Sequence, residues 1–138
     1  MSERRVTVVE SGNGPYGQFV TAGRHVLGSD EPLEAGGQGT GPDPYELVLA
    51  GLGSCTAMTL RMYANRKGIK LTRIAVHLRH VQRASEAKGL TDRFERLIEL
   101  EGDLTQDDRQ KLLDIAERCP VSQTLKRSSD IDTREKPL

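Results

Sequence analysis

The sequence predicts an α+β fold, in which strands precede and follow one long helix. Three patterns predict it: short strand-like segments open the chain, residues 43–66 have helical spacing, and two long segments with period two follow. The 138 residues have the length of one domain, and no internal repeat or linker divides them. We therefore expect a single domain over residues 1–138.

Three short strands are predicted before the long helix. They cover residues 4–10, 17–21 and 24–27. The stretch 29–44 is rich in Gly and Pro and is predicted to be a loop. Asp43 is a favourable N-cap and Pro44 a favourable first helical residue, so the helix should begin there and end before Gly68.

The long helix carries an apolar stripe that includes the first cysteine, Cys55. The stripe consists of Leu47, Gly51, Leu52, Cys55, Met58, Met62 and Tyr63. It predicts an apolar face with Cys55 at its middle. Four residues would form the apolar wall of a substrate pocket beside the thiol: Leu52, Met58, Met62 and Tyr63. Gly51 and Gly53 disfavour a helix, and we interpret them as positions where another backbone approaches closely.

After the helix, the sequence predicts two strands, two helices and a final strand. These elements are the strands 73–81 and 92–101, the loop 83–88 between them, the helices 103–118 and 119–126, and the strand 130–133. On the second strand Phe94, Ile98 and Leu100 share a face. Thr105 and Asp108 resemble a capping box with Asp in place of Glu.

Composition excludes several classes of function. Twenty basic and twenty acidic residues give no net charge, which argues against nucleic-acid binding. No run approaches the roughly 18 apolar residues of a membrane span, and the first residues show no signal peptide, so we expect a cytoplasmic protein. The Gly-rich stretch 36–42 lacks the spacing of a phosphate-binding loop, and no cofactor is predicted.

Any chemistry is expected at the only two cysteines, Cys55 and Cys119. In a reducing compartment they are free thiols, part of a metal site, a redox pair, or buried filler. Cys119 stands at the predicted N-cap of a helix whose first residue is Pro120, where unpaired N–H groups favour a thiolate. His25, with Arg24, could supply positive charge to a thiolate, and a zinc site of both cysteines and His25 stays open.

Two other histidines are less informative. His77 and His80 lie three residues apart on a predicted strand, so they should face opposite sides of the sheet and cannot share a metal ion.

Two motifs together resemble one known family. The segment 41–60 (GPDPYELVLAGLGSCTAMTL) and the downstream Cys119-Pro120-Val121 resemble the OsmC/Ohr family of osmotically inducible and organic hydroperoxide resistance proteins. The resemblance extends from about residue 16 to 133. Within the family it is closer to the OsmC-like subgroup, on the basis of His25, Leu27 and the stretch 30–32 (DEP).

The resemblance implies an intertwined homodimer with packed central helices and antiparallel sheets around them. It also implies a thiol peroxidase for small organic hydroperoxides. Cys55 would attack the peroxide and form a sulfenic acid, and Cys119 would resolve it to a disulfide. An external dithiol would then reduce the disulfide.

One part of the family pattern is missing. True Ohr proteins have a Glu ten residues before the first cysteine, paired with an N-terminal Arg, but Tyr45 stands at that position here. Glu46 is therefore our candidate acid, and Arg24 or His25 our candidate cation. In a continuous helix Glu46 would lie about 13 Å along the axis from Cys55 and on the opposite face. It could then serve the thiol only from a second chain.

Two alternatives from other classes stay open. The same fold could be a non-catalytic thiol redox sensor or a protein that binds a small apolar ligand, or the cysteines could be structural. Oxidation of Cys55 by an organic hydroperoxide distinguishes these functions.

Overall fold

The computed structural model describes residues 3–82 and 92–138. It confirms the predicted α+β class, with helices and two antiparallel sheets. The chain forms two compact units, Met1–Leu49 and Ala50–Leu138. The single domain over the whole chain stays a prediction.

The first unit contains a three-stranded antiparallel sheet in the order β1-β2-β3. Its strands are β1 (Thr7–Glu10), β2 (Gln18–Ala22) and β3 (His25–Ser29). The three predicted strands are confirmed, although β1 is shorter than predicted and β3 extends two residues further. The predicted loop after them contains one 3₁₀ turn, Leu33–Ala35, which the Gly and Pro content of the segment had concealed.

A buried carboxylate organises this loop. Asp30 is only 2% exposed. Its oxygens accept hydrogen bonds from the backbone N–H groups of Glu31 (2.8 Å), Gln38 (3.2 Å) and Thr40 (3.2 Å), and from the Thr40 hydroxyl (2.8 Å). Four donors on one carboxylate tie the two ends of the loop together.

We expect the ionisation of Asp30 to make the stability of the protein depend on pH. The Thr40 hydroxyl above all, with the backbone donors, outweighs desolvation and holds the pKa of Asp30 below its ordinary value of 3.8. A lowered folded-state pKa adds stability above the unfolded-state pKa, and this contribution is lost as the pH falls through the folded-state value. The thermal midpoint should therefore drop steeply below about pH 4, and Asp30→Asn should flatten that drop. Glu34→Gln, an exposed carboxylate of the same loop, is the control. Identical pH profiles for Asp30→Asn and the unmodified protein would contradict the expectation.

The long helix α1 (Pro44–Lys67) begins in the first unit and continues through the second. A capping box starts it as the sequence indicates: Glu46 N donates to Asp43 Oδ1 (2.8 Å) and Asp43 N donates to Glu46 Oε1 (2.9 Å). Gly68, at φ 69°, follows its last residue.

The rest of the second unit is a long hairpin and two helices. The elements are β4 (Lys70–Gln82), β5 (Asp92–Asp103), α2 (Gln106–Ala116) and α3 (Pro120–Lys126). All four are predicted elements, with α2 shorter because Thr105 is its N-cap and closes a capping box with Asp108. The predicted loop 83–88 lies outside the described residues.

The predicted strand 130–133 is wrong. These residues have no regular secondary structure, and Ile131 is 85% exposed. A strand needs a partner for its backbone groups and a face to bury, and the charged neighbours of Ile131 offer no such face.

The core of the second unit is built by α1, β4 and α2. Its buried members are Leu60, Ala64, Leu71, Leu112 and Ala116. Four residues of α1 are buried at a spacing of four: Leu52, Thr56, Leu60 and Ala64.

Among the described helices, α1 alone is long and apolar enough to cross a membrane. Core helices of soluble proteins have the same length and composition, so this is weak evidence for a span.

This packing corrects the predicted stripe of α1. Met58 and Met62 are 60% and 68% exposed, and Cys55 is half-buried. The row through Leu60 faces β4 and α2, whereas Gly51, Met58 and Met62 lie on another side of the helix. The expected approach of another backbone is not found among the described residues: a Cβ atom at Gly53 would lie 2.7 Å from the Leu78 side chain, and one at Gly51 would have nothing within 4 Å.

Candidate functional site

The fold brings the two thiols together. Cys55 lies in the middle of α1 and is half-buried, whereas Cys119 precedes α3 and is fully buried. Both are reduced, and the Cys55 thiol is one of the groups that lower the pKa of Cys119. The arrangement satisfies the first requirement of a redox pair, which is proximity of the two sulfurs.

Several donors converge on the Cys119 sulfur. As the N-cap of α3, it accepts a hydrogen bond from the Ser122 backbone N–H at 3.4 Å. Arg96 Nη1 donates to it at 3.8 Å, and Thr56 Oγ1 lies at 3.8 Å. The sulfur is thus surrounded by groups that stabilise a negative charge.

The guanidinium of Arg96 is held in place by three further contacts. Its Nη1 donates to Thr56 Oγ1 (2.9 Å) and to the Ala116 carbonyl (3.2 Å), and its Nη2 donates to Glu117 Oε2 (3.2 Å). The side chain is 11% exposed. Glu117 also forms an ion pair with Lys126. A fixed cation therefore lies beside the thiol pair.

These contacts favour the thiolate of Cys119. Burial raises the pKa of its thiol, but hydrogen bonds from Ser122, Cys55 and Thr56 and the charge of Arg96 outweigh burial. The pKa of Cys119 therefore lies below its ordinary value of 9.0. The Lys126 ammonium, aided by Arg96, also lowers the pKa of Glu117 against its partial desolvation, so Glu117 stays an anion that binds Arg96.

A cavity of about 500 Å³ adjoins this cluster. Its apolar lining is Leu52, Phe94 and Leu125, and its polar lining is Asp92, Arg96, Glu117, Ser122 and Lys126. Arg96 and Ser122 both line the cavity and contact Cys119, whereas neither cysteine is among the lining residues. It has room for a small organic molecule with an apolar body.

The other three predicted pocket residues lie elsewhere. Met58 and Met62 line a separate depression of about 380 Å³, together with Ala57, Arg61 and Ile74. Tyr63 packs against the core, with the Arg66 guanidinium 5.6 Å from its ring centroid. Of the predicted pocket wall, the structure thus brings Leu52 to the cavity beside the thiols.

The predicted acid and cations belong to the first unit. Glu46 is engaged in the capping box with Asp43, and Arg24 and His25 are exposed at the β2–β3 turn and the start of β3. Their roles toward Cys55 stay predictions.

The two strand histidines face opposite sides of the hairpin, as predicted. His77 pairs with Glu99, while His80 pairs with Asp92 at 2.7 Å and stacks on Phe94. Among residues 3–82 and 92–138, no three His, Cys, Asp or Glu side chains are grouped as a metal site requires. The zinc alternative therefore gains no support from the structure.

Arg96 and Thr56 are functional candidates that the sequence reasoning missed. Arg96 lies on the same face of β5 as Phe94 and Ile98, so an arginine stands on the apolar face of this strand. Thr56 likewise interrupts a buried row of α1, four residues after Leu52 and before Leu60. A polar residue on an apolar face was the available signal in both cases.

Comparisons with known proteins give consistent results. A family model described as OsmC-like protein matches residues 37–134. A comparison with curated protein sequences finds no match. The OsmC-like protein from Mycoplasma pneumoniae is 18% identical, with a TM-score of 0.76 over 91% of this chain and 88% of that chain.

Two further solved structures share the fold. The organic hydroperoxide resistance protein OsmC from Legionella pneumophila is 22% identical, with a TM-score of 0.65 over 91% of this chain and 90% of that one. The organic hydroperoxide resistance protein OhrB of Bacillus subtilis is 22% identical, with a TM-score of 0.60 over 91% of each chain.

Proposed function

Because the chain belongs to the OsmC-like family, we propose that it is a thiol-dependent peroxidase that reduces organic hydroperoxides. The observation that carries this proposal is the reduced Cys119 at the N-cap of α3, whose sulfur lies 3.8 Å from Arg96 Nη1 and whose pKa is lowered in part by the Cys55 thiol. Two structures of the same fold are named for organic hydroperoxide resistance, which supports the choice of substrate.

The half-buried Cys55 is the thiol that attacks the peroxide. Its thiolate attacks the terminal oxygen of the hydroperoxide, so that an S–O bond forms and the O–O bond breaks. The alkoxide takes a proton and leaves as the alcohol, and Cys55 becomes a sulfenic acid. The Cys55 thiol first has to lose its proton, because the thiolate is the nucleophile.

The buried Cys119 resolves the sulfenic acid. Its thiolate attacks the Cys55 sulfur, an S–S bond forms, and hydroxide leaves as the S–O bond breaks. An external dithiol then reduces the disulfide and restores both thiols.

Stopped-flow oxidation of the reduced protein tests the proposal. Cumene hydroperoxide should oxidise Cys55 faster than hydrogen peroxide, because only the organic molecule can bury apolar surface against Leu52, Phe94 and Leu125. Such burial contributes about 25 cal/mol per Å². Equal second-order rate constants would contradict the preference. Oxidation without turnover in the presence of a dithiol would instead favour the redox sensor.

A second chain is part of the proposal. In the described residues nothing within 4 Å of a Cβ at Gly51 explains this costly helical glycine. Gly51 lies on the same side of α1 as the exposed Met58 and Met62. We therefore propose a homodimer in which the α1 helices pack along this side. A dimer with two-fold symmetry is the commonest kind of oligomer.

The homodimer would also complete the predicted role of Glu46. If the helix has no break, Glu46 can serve Cys55 only from a second chain. The helix α1 runs without a break from Pro44 to Lys67. A mixed dimer of Glu46→Gln and Cys55→Ser chains should keep one active site, because the remaining Cys55 would receive Glu46 from the other chain. Both parent homodimers should be slow or inactive. An inactive mixed dimer, or a stable and reactive monomer in sedimentation, would refute the shared site.

A further inference from the structure

The cation of the site is directed at the second thiol rather than the first. Arg96 Nη1 reaches the Cys119 sulfur at 3.8 Å, and the Ser122 N–H points to the same atom at 3.4 Å. The Cys55 thiol adds a further hydrogen bond to Cys119. These donors therefore stabilise a negative charge on Cys119.

We propose that Arg96 is a catalytic residue of the resolving step, an inference that rests on the proposed function. Arg96 holds the thiolate on Cys119 and speeds closure of the Cys55–Cys119 disulfide. It gives little or no benefit to the attack on the hydroperoxide. Among the described residues, the hydrogen bond of Arg96 to a thiol goes to Cys119 and not to Cys55. Its charge therefore acts mainly on the resolving thiol.

The resolving step depends directly on this charge. The thiolate of Cys119, not the neutral thiol, displaces hydroxide from the Cys55 sulfenic acid. Loss of the Arg96 charge raises the pKa of the Cys119 thiol, so less thiolate is present at a given pH. The higher nucleophilicity of a more basic thiolate offsets only part of that loss. Closure should consequently slow by about threefold without Arg96.

Two residues position Arg96 for this role. Thr56 Oγ1 accepts from Nη1 at 2.9 Å and is itself anchored to the Leu52 carbonyl at 2.7 Å. Glu117 accepts from Nη2 at 3.2 Å on the opposite side of the guanidinium. Held from both sides, Nη1 stays directed at the Cys119 sulfur.

A peroxide-free reaction separates the two steps. A neutral dipyridyl disulfide should first react with the more exposed Cys55 and release one thiopyridone; attack of Cys119 on the mixed disulfide releases the second. Arg96→Met should slow the second release by about threefold and leave the first unchanged or faster. Arg96→Lys should restore part of the second rate. The matched control is Arg79→Met, an exposed arginine of the same hairpin that pairs with Glu95.

The pH dependence of the second release distinguishes charge from mere packing. In Arg96→Met its midpoint should move to higher pH, whereas a structural role would lower the rate without that shift. If Arg96→Met fails to fold, Glu117→Gln should give a smaller slowing of the second release alone. A slowed first release with an unchanged second, or no difference between the Arg96 and Arg79 variants, would overturn the proposal. Because no peroxide is used, this result is independent of whether the protein reduces hydroperoxides.

Discussion

Replacement of Cys55 by Ser should abolish the consumption of organic hydroperoxide, down to the rate of the buffer alone. Cys119→Ser should retain one reaction per site and then stop. The first variant lacks the attacking sulfur, whereas the second forms a sulfenic acid that no thiol resolves. Peroxide consumption in the presence of a dithiol, with mass spectrometry of the oxidised chain, measures both outcomes.

The neighbouring Ser54→Ala is the control for changes in α1. Ser54 is exposed, so its variant should keep the rate of the unmodified protein. Residual consumption by Cys55→Ser would show that Cys119 attacks the peroxide itself. Sustained turnover of Cys119→Ser would show that the external dithiol reduces the sulfenic acid directly.

The largest loss of stability is expected from Leu60→Ala. Leu60 has no exposed surface and lies in the core cluster between α1, β4 and α2. Truncation of a buried leucine lowers the free energy of unfolding by about 2–5 kcal/mol. The same substitution at Leu97, which is 73% exposed on β5, should change it by about 0.5 kcal/mol or less. Urea unfolding of both variants tests the contrast, and equal losses would contradict the placement of Leu60 in the core.

Local signals predicted most of the elements. Asp43 and Pro44 mark the start of α1, and Thr105 with Asp108 marks the start of α2, because capping depends on neighbours in the sequence. The strands β4 and β5 follow from their period-two pattern. The error at residues 130–133 arose where a short apolar alternation had no partner in the described structure to bury it.

The side of α1 that enters the core was not decided by its own pattern. The helix is apolar on more than one side, and the row through Leu60 is buried because β4 and α2 pack there. For the same reason the pocket residues could be predicted only in part. Leu52 lies in both the predicted stripe and the buried row, whereas Met58 belongs to the stripe alone.

The position of Arg96 depends on tertiary structure. Its place on the apolar face of β5 could be read from the sequence, but its contact with Cys119 follows from the packing of the hairpin beside α1 and α3. Nothing in the spacing of residues 96 and 119 indicates that these two side chains meet.

The use of a cysteine as the N-cap of α3 links the redox state of the pair to local unfolding. The Ser122 N–H donates to the Cys119 sulfur at 3.4 Å, and a disulfide sulfur is a weaker acceptor than a thiolate. Opening of the first turn of α3 then becomes easier, since a helix of seven residues depends on its cap. Amide hydrogen exchange at Ser122 would therefore report whether the thiols are reduced or oxidised, without any probe on the sulfurs themselves.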